Sequence, residues 1–487
     1  MFDQKLSDKS LLKTKGYING EWVSSDSEKE FEVFNPATGE CIANVADLGP
    51  VETQRAIEAA HSAMSEWTKY TAKEKSALLR EWFNLVMANQ DDLATIMTLE
   101  QGKVFAESKG EVAYGASYIE WFAEEAKRIY GDILPSTTQD RRSIVIKQPI
   151  GVVGAITPWN FPIAMITRKI APALAAGCSV VLKPAAETPL SALALAELAQ
   201  RAGIPKGMIN IVPGKKSSEI GAQLTDNPLV KKVTFTGSTR VGKVLMAQSA
   251  QTVKRTSMEL GGNAPVLVFD DADLDKAVQG ALAAKFRNAG QTCICANRIL
   301  VQSGIYDEFV SRLTAKVEQF VLGEGLAESS TMGPLINSNA VEGVTDLVSD
   351  ALGKGAKLTV GGQVKEGAGF FFQPTVIRDL DQSMRLAKEE VFGPVAPIFK
   401  FETEDEAIAM ANDTEFGLAA YLFTKDQSRS WRVSERLEYG MVGVNETAIS
   451  SEMIPFGGVK ESGQGREGSK YGLDDYLEMK YICLGDI

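Results

Sequence analysis

Only one histidine, His61, occurs among the 487 residues, and that shortage excludes more chemistry than any other count. A Ser–His–Asp hydrolase needs an imidazole as its base, and a multi-histidine zinc centre needs several. His61 sits in VETQRAIEAAHSAMSEW, whose apolar spacing is that of an amphipathic helix with no acidic or thiol cluster beside it, so it reads as a helix-surface or interface residue. Catalysis then falls to Cys, Glu, Lys, Asn or Arg. Basic residues are also in deficit: 51 Lys and Arg against 63 Asp and Glu leave a net charge of −12. Neutralising a polyanion takes clustered cations, so no nucleic-acid surface is expected, although a pocket for one small anion fits. No run approaches the roughly 20 apolar residues of a membrane span, and the opening MFDQKLSDKSLLKTKGY lacks an apolar signal core. The five cysteines, Cys41, Cys178, Cys293, Cys295 and Cys483, are odd in number and scattered. They make neither a disulfide framework nor a metal site, and the expected setting is reducing and cytoplasmic.

What is present is ordinary globular material, 44% hydrophobic and 23% charged, which excludes a disordered or fibrous chain. The length points to about three domains. Short strand-like pieces (GYINGEWV, FEVFNP) precede long helical patterns from Val51 to about Arg128, and residues 129–149 turn extended (GDILPS, RRSIVIKQP). From Gly151 onward, β-rich runs (GVVGAIT, SVVLKP, MINIV, KKVTFT) alternate with helical segments. A second such series starts near Pro265 with PVLVF and continues through RILVQ, APIFKF, AYLFT and MVGVN. Strand–helix alternation predicts parallel βαβ units. The expected fold is therefore α/β, with two doubly wound parallel-sheet domains joined near Gly261-Gly262.

Two glycine motifs come close to nucleotide-binding signatures without meeting them in full. GQGREG at Gly463, Gly465 and Gly468 spells the dinucleotide string, but no strand precedes it, so it reads as a glycine-rich loop. GSTRVGKV, from Gly237 to Val244, follows a strand and opens a helix, yet Val244 stands where a P-loop needs a hydroxyl for magnesium. A nucleotide triphosphatase is disfavoured. Backbone N–H groups at a helix start still suit a pyrophosphate without metal. Three further motifs carry reactive groups. FRNAGQTCICANR sets Cys293 after a polar loop, and a thiol needs no histidine to attack a carbonyl. MELGGNAP supplies Glu259 at the end of a β-run, where an apolar neighbourhood would raise its pKa toward a general base's range. PWNFP holds Asn160 in a turn, its amide able to donate to an oxyanion, and KPA ends a strand with Lys183, where nucleotide riboses bind in open α/β sheets.

The ordered set PWNFP, LKPAAETP, FTGSTRVG, MELGGNAP, GQTC and EEVFGP resembles the aldehyde dehydrogenase superfamily, over nearly the whole chain from NPATGE at Asn35 to EGSKYGLDDYLEMKY. KFRNAGQTCICANR and PFGGVKESGQGREGSKYG are most similar to its branch acting on succinate semialdehyde. The resemblance implies a coenzyme domain (residues 1–128 and 150–260), a catalytic domain (261–465), and a small β oligomerisation arm with a tail (129–149 and 466–487). It further implies a homodimer or homotetramer. Cys293 would attack the aldehyde, with the Asn160 amide and the Cys293 backbone N–H holding the alkoxide; the adduct would pass a hydride to nicotinamide, and Glu259 would activate water against the resulting thioester. Trp159, Asn160, Lys183, Ala186, Gly237, Ser238, Leu260, Glu390 and Phe392 would contact the cofactor. Arg168, Arg287 and Ser451 would bind a terminal carboxylate on the substrate, arginine being able to grip one bidentately. Relatives committed to NAD often carry Glu where this chain has Ala186, with Glu187 one later, so NADP is expected to be accepted and preferred over NAD. Cys295 would be able to trap Cys293 as a reversible disulfide. Rival readings are a glutarate-semialdehyde or other ω-carboxy aldehyde dehydrogenase, and, from a different class, a nicotinamide-independent thiol esterase or a non-catalytic dinucleotide-binding protein.

Overall fold

A computed structural model describes residues 2–486. Its frame is two large sheets. In the first, eight strands run in the order 21–23, 16–18, 209–211, 180–183, 152–156, 230–236, 255–259, 463–464. The five from Ile209–Ile211 to Arg255–Glu259 are parallel, and the outer strands pair antiparallel. In chain order the parallel set reads 3-2-1-4-5, so the winding reverses between Val152–Ile156 and Val230–Thr236. Ligands of open α/β sheets bind beyond the carboxyl ends of strands at such a switch point. The register brings Ile156 beside Phe235 and Thr236 beside Glu259, so the PWNFP turn, the Gly237–Ser238 corner and Glu259 emerge together.

The second sheet has seven strands, in the order 357–360, 375–380, 395–401, 296–302, 264–268, 419–423, 441–444, parallel except for Lys357–Val360. Both sheets are covered on both faces, which explains why strands such as Val180–Lys183 and Ala264–Val268 are buried throughout and read as continuous apolar runs. The helices have readable starts: Thr71 and Glu74 form a capping box before Ala72–Ala88, and Ser238 caps Thr239–Ser249. Among the described residues no helix is long and apolar enough to cross a membrane.

A third, antiparallel sheet carries Arg141–Pro149 between Asp132–Leu134 and Leu477–Gly485. Its strands correspond to the extended segments read at 129–149 and in the C-terminal tail. Two details differ from the sequence-based division. Gly463–Gln464 pairs with Met258 and Glu259 in the first sheet rather than ending the second domain. Residues 466–476 pack Leu473 and Tyr476 into the first core before the chain enters the arm. The reason is steric: Gly463 has φ +125°, and a Cβ there would overlap the Met258 carbonyl oxygen, so the glycine-rich loop lies flat on the strand that ends in Glu259.

Candidate active site

Helix Leu274–Phe286 leads into the thiol loop. Asn288 and Ala289 both take left-handed backbone, φ 52° and 53°, an arrangement costing about 1–3 kcal/mol per residue unless its surroundings fix it. Here they do. The Asn288 N–H donates to Glu107 Oε1 at 2.8 Å, its Nδ2 donates to the Asn160 carbonyl at 3.0 Å, and Gln291 Nε2 donates to the Asn288 carbonyl at 3.1 Å. At the end of this turn Cys293 is half-buried and lines two cavities, of about 300 Å³ and about 220 Å³. Burial pushes its thiol up to about 12; the Glu390 and Glu259 carboxylates add to the shift, and the Arg168 and Arg287 guanidiniums oppose it. Cys295 is fully buried, its Sγ donating to the Lys285 carbonyl at 3.3 Å, and lines neither cavity.

Asn160 stands on the 220 Å³ side with Cys293. Its Oδ1 accepts the Phe161 N–H at 3.1 Å and its Nδ2 donates to the Gln291 carbonyl at 3.1 Å. The carboxamide is thereby oriented, with one of its two N–H donors left over. Glu259 is buried beneath the junction and lines neither cavity. Neither of its carboxylate oxygens has a hydrogen-bond partner, and burial, reinforced by Glu467, raises its pKa well above the usual carboxylate range. That is a proton acceptor held in reserve, in the environment that favours general-base function.

The smaller cavity is a cleft at the switch point of the first sheet. Trp159, Asn160, Gly237, Ser238, Leu260, Glu390 and Phe392 meet in it, with Pro158, Thr236 and Gly261. The Trp159 and Phe392 rings stand edge to face, centroids 5.6 Å apart. Glu390 accepts the Gly262 N–H at 3.0 Å, and burial takes its carboxyl up to about 7. The paired glycines answer to crowding: a Cβ on Gly261 would lie 2.9 Å from Glu390 Oε2, and one on Gly262 would overlap the Cys293 carbonyl. Lys243, the P-loop-like lysine, is committed to Glu461 at 2.6 Å, which leaves the N–H groups at the start of helix Thr239–Ser249 as the feature suited to a phosphate. Lys183 and Ala186 lie outside this cleft. Ala186 lines a separate groove of about 400 Å³ with Glu32, Glu100, Glu187 and Lys215, and Lys183 is buried at its strand end, its ammonium pKa lowered by that burial and raised in part by Glu187. A flat ring against Trp159 and Phe392, a pyrophosphate at Ser238 and a ribose near Lys183 match what these surfaces offer, so the residues fit a nicotinamide dinucleotide.

The larger cavity holds the charges. Lys103, Glu107, Glu111, Arg168 and Arg287 line it with Tyr114, Phe161, Met165 and Phe456. The two arginines expected at a substrate carboxylate are both there, but in different states. Arg168 is buried, paired with Glu467 at 2.8 Å and stacked 4.0 Å over Phe456. Arg287 is exposed, lies over Phe161 at 5.2 Å, and makes no ion pair among the described residues. Its cation is the available one. Ser450, rather than Ser451, lines this cavity; the Ser451 hydroxyl accepts the Met453 N–H at 3.3 Å and its carbonyl accepts the Tyr118 hydroxyl at 3.2 Å.

Sequence reasoning missed the buried ions around the site. Lys169 pairs with Glu467 and donates to Thr236 Oγ1 at 2.6 Å. Burial opposes ionisation of Glu467, but Lys169 and Arg168 hold its carboxyl below the usual range. Lys103 pairs with Glu111. Lys169 stands in a helix buried at every position. Glu111 sits in a helix with exposed positions, and Lys103 and Glu467 in loops, where a charged residue ordinarily signals a solvated face. Only the later placement of Lys169 beside Glu467, 298 residues away, shows otherwise.

A cleft for a flat dinucleotide, a thiol at its floor and a charged chamber behind define a class: a covalent-catalysis oxidoreductase. Comparison with known proteins makes it specific. The aldehyde dehydrogenase family model matches residues 22–482. The chain is 58% identical over 483 residues to the glutarate-semialdehyde dehydrogenase of Pseudomonas aeruginosa, covering 99% of this chain and 100% of that one. It is equally 58% identical over 481 residues to the NADP(+) succinate-semialdehyde dehydrogenase of Escherichia coli, again covering 99% and 100%. A crystal structure of an E. coli NADP-dependent enzyme superposes with a TM-score of 0.98 at 57% identity, covering 99% of this chain and 100% of that one. The chain belongs to the aldehyde dehydrogenase family, oxidoreductases that convert aldehydes to acids with NAD(P).

Proposed function

We propose that the chain oxidises succinate semialdehyde to succinate, with NADP preferred over NAD. The observation that carries the reading is the position of Cys293 at the junction of the dinucleotide cleft and the chamber holding Arg287. The Arg287 guanidinium, with Arg168 behind it, binds the substrate carboxylate; Ser450 is better disposed than Ser451 to assist. The Cys293 thiol gives up its proton to solvent and, as thiolate, adds to the aldehyde carbon while the carbonyl π pair moves onto oxygen, and the alkoxide accepts from the Asn160 amide and the Cys293 backbone N–H. One piece of chemistry comes from outside the chain: a hydride acceptor, the nicotinamide ring of NAD(P). With the hydride gone Cys293 carries a thioester. Glu259 takes a proton from water, the hydroxide adds to the thioester carbon, and collapse of the tetrahedral adduct breaks the C–S bond, leaving the acid and the Cys293 thiolate.

The NADP preference rests on Ala186, which offers no carboxylate to repel a 2′-phosphate, and on Lys183 and Lys215 nearby. The body around the first sheet serves as coenzyme domain and the second as catalytic domain. The arm joins copies into a homodimer or homotetramer. In support of that, Ile133 and Met479, on the two outer strands of the arm, are 80% and 76% exposed, apolar side chains of the kind that interfaces cover.

Reduced cofactor formation followed at 340 nm, with succinate semialdehyde and each cofactor, tests the reading on wild type and Cys293→Ala. Activity in the first and none in the second is expected; thioester or ester cleavage without nicotinamide as the sole activity would overturn it. Glutarate semialdehyde is the second reading, favoured by the similarity to an enzyme of that name. One methylene is worth about 1–3 kcal/mol of discrimination, so kcat/KM across an ω-carboxy chain-length series separates the two.

A further inference from the structure

Lys103 is the most costly residue in the chamber wall. Its side chain is fully buried, and a buried ammonium is tolerated only when paired and hydrogen-bonded on its remaining faces. Glu111 takes one face. The second proton goes to the backbone carbonyl of Asn160 at 2.7 Å, and the ammonium rests 4.0 Å over the ring of Phe161, the next residue. Glu111 uses its other oxygen a turn further on, accepting the N–H groups of Ile163 at 2.9 Å and Ala164 at 3.2 Å. Ala164 opens the helix Ala164–Ala176. One ion pair thus holds both ends of the five-residue turn 160–164, the lysine at its first carbonyl and the glutamate at its last amides.

The same Asn160 carbonyl accepts a second donor, Asn288 Nδ2 at 3.0 Å, and Asn288 is fixed in its left-handed conformation through Glu107. The Asn160 side chain closes the loop by donating to Gln291. Helix Phe105–Glu125, the PWNFP turn and the thiol loop are therefore joined at one oxygen atom, the main-chain carbonyl of the residue whose side-chain amide shares the cleft with Cys293.

We propose that Lys103 and Glu111 are positioning residues that set the Asn160 amide against the reacting carbonyl. This rests on the reading of Asn160 as oxyanion donor. Neither residue takes part in bond making; the clamp fixes where the donor stands, and displacing such a group by about 1 Å costs on the order of 10² in rate. Because the donor acts on charge that develops in the transition state, the loss belongs in kcat rather than in aldehyde KM.

The test is a kinetic cycle. Removing one member alone would leave an unpaired buried charge, so the pair is neutralised together in Lys103→Met/Glu111→Gln. Thermal melting and NADPH fluorescence check that the protein is folded and takes up cofactor. Expected is a fall of about 10² in kcat with aldehyde KM within about threefold, and little further loss when the pair is changed in an Asn160→Ala background. Unchanged kcat in the folded variant overturns the proposal. So does a rise in KM at constant kcat, which would make Lys103 a substrate ligand. So does full additivity with Asn160→Ala, which would mean an effect that bypasses the donor. Should neutralisation unfold the protein, Lys103→Arg keeps the charge beside Glu111 while displacing the donor from the Asn160 carbonyl, and the same outcomes apply. If Asn160→Ala alone keeps full kcat, the oxyanion reading and the clamp both fall; if it is impaired while the clamp variants are not, only the clamp falls.

Discussion

On one side of Cys293 the wall is main chain, small residues and two rings: Gly237, Ser238 and Gly261 with Trp159 and Phe392. On the other side it is charge: Lys103, Glu107, Glu111, Arg168 and Arg287. On the proposed reading a planar ring and a pyrophosphate would be held by flat surfaces and N–H groups, so that cavity would work by shape and tolerate no added bulk. On the same reading a short chain ending in a carboxylate would be held by counter-charge, so the other cavity would work by electrostatic balance and tolerate no change in it. Of its three cations only Arg287 lacks a carboxylate partner among the described residues. Variants should therefore separate into those that disable both sides at once and those that touch only one.

Cys293 belongs to both, and its removal is the largest effect. Cys293→Ala should reduce aldehyde oxidation to background while NADPH binding, read by fluorescence, stays near wild type, since the cleft wall is otherwise intact. Loss of cofactor binding along with activity would show the thiol to be part of the cleft's architecture instead.

Glu259 comes next, with an expected loss in kcat of about 10²–10⁴ for Glu259→Gln. Its sign with pH follows from burial. A carboxyl whose pKa is raised stays protonated further up the scale, and in that form it accepts no proton from water. The Cys293 thiol, pushed up to about 12, is likewise short of thiolate at neutral pH. Both directions make activity climb from neutral toward alkaline pH. Glu259→Gln should flatten the kcat profile while leaving the rise that belongs to the thiol in single-turnover acylation. A wild-type kcat that falls over that interval would contradict both assignments.

The two arginines sharpen the contrast inside the charged chamber. Arg287→Met should lower kcat/KM for an ω-carboxy aldehyde by about 10–10², the range of a hydrogen bond to a charged group, with little change in thermal stability or in activity on an uncharged aldehyde of equal length. Arg168→Met removes one of the two cations paired with the buried Glu467 carboxylate, leaving Lys169, and should cost about 1.5–3 kcal/mol of stability, visible as a lower Tm. Equal behaviour of the two would remove the distinction between a free and a committed guanidinium.

The same contrast governs what could be read from the sequence. The shape-dependent cleft left local marks, because glycine and proline stand where backbone must approach: PWNFP, FTGSTRVG and MELGGNAP each end a strand of the first sheet, and their residues converge in one cavity. The charged chamber left almost none. Lys103, Glu111, Lys169 and Glu467 find partners 8 to 298 residues away, and no periodicity distinguishes a lysine that will be buried from one on a solvated face. Arg168 and Arg287 were found through resemblance, not pattern, and resemblance gave no hint that Glu467 already neutralises one of them. The left-handed pair Asn288-Ala289 was equally hidden, since neither residue is glycine.

The smallest effect is expected where the cleft's shape logic gives way to charge, in the groove beside Ala186. Three carboxylates already line it, yet two are compensated. Glu100 accepts the N–H groups of Leu190 and Ser191 at 2.8 Å each at the start of helix Pro189–Arg201, and Glu187 interacts with the Lys183 ammonium. Ala186→Glu would add a carboxylate with no such partner. At 4 Å two unit charges repel by about 1 kcal/mol in water and about 4 kcal/mol near a protein surface, so the NADP-to-NAD ratio of kcat/KM should fall by about tenfold or somewhat more, each tenfold being about 1.4 kcal/mol. The change should appear in KM for NADP, with kcat and aldehyde KM held. A ratio that does not move would mean that the 2′-phosphate lies away from residue 186, and the basis for the NADP preference would have to be sought at Lys183 or Lys215 alone.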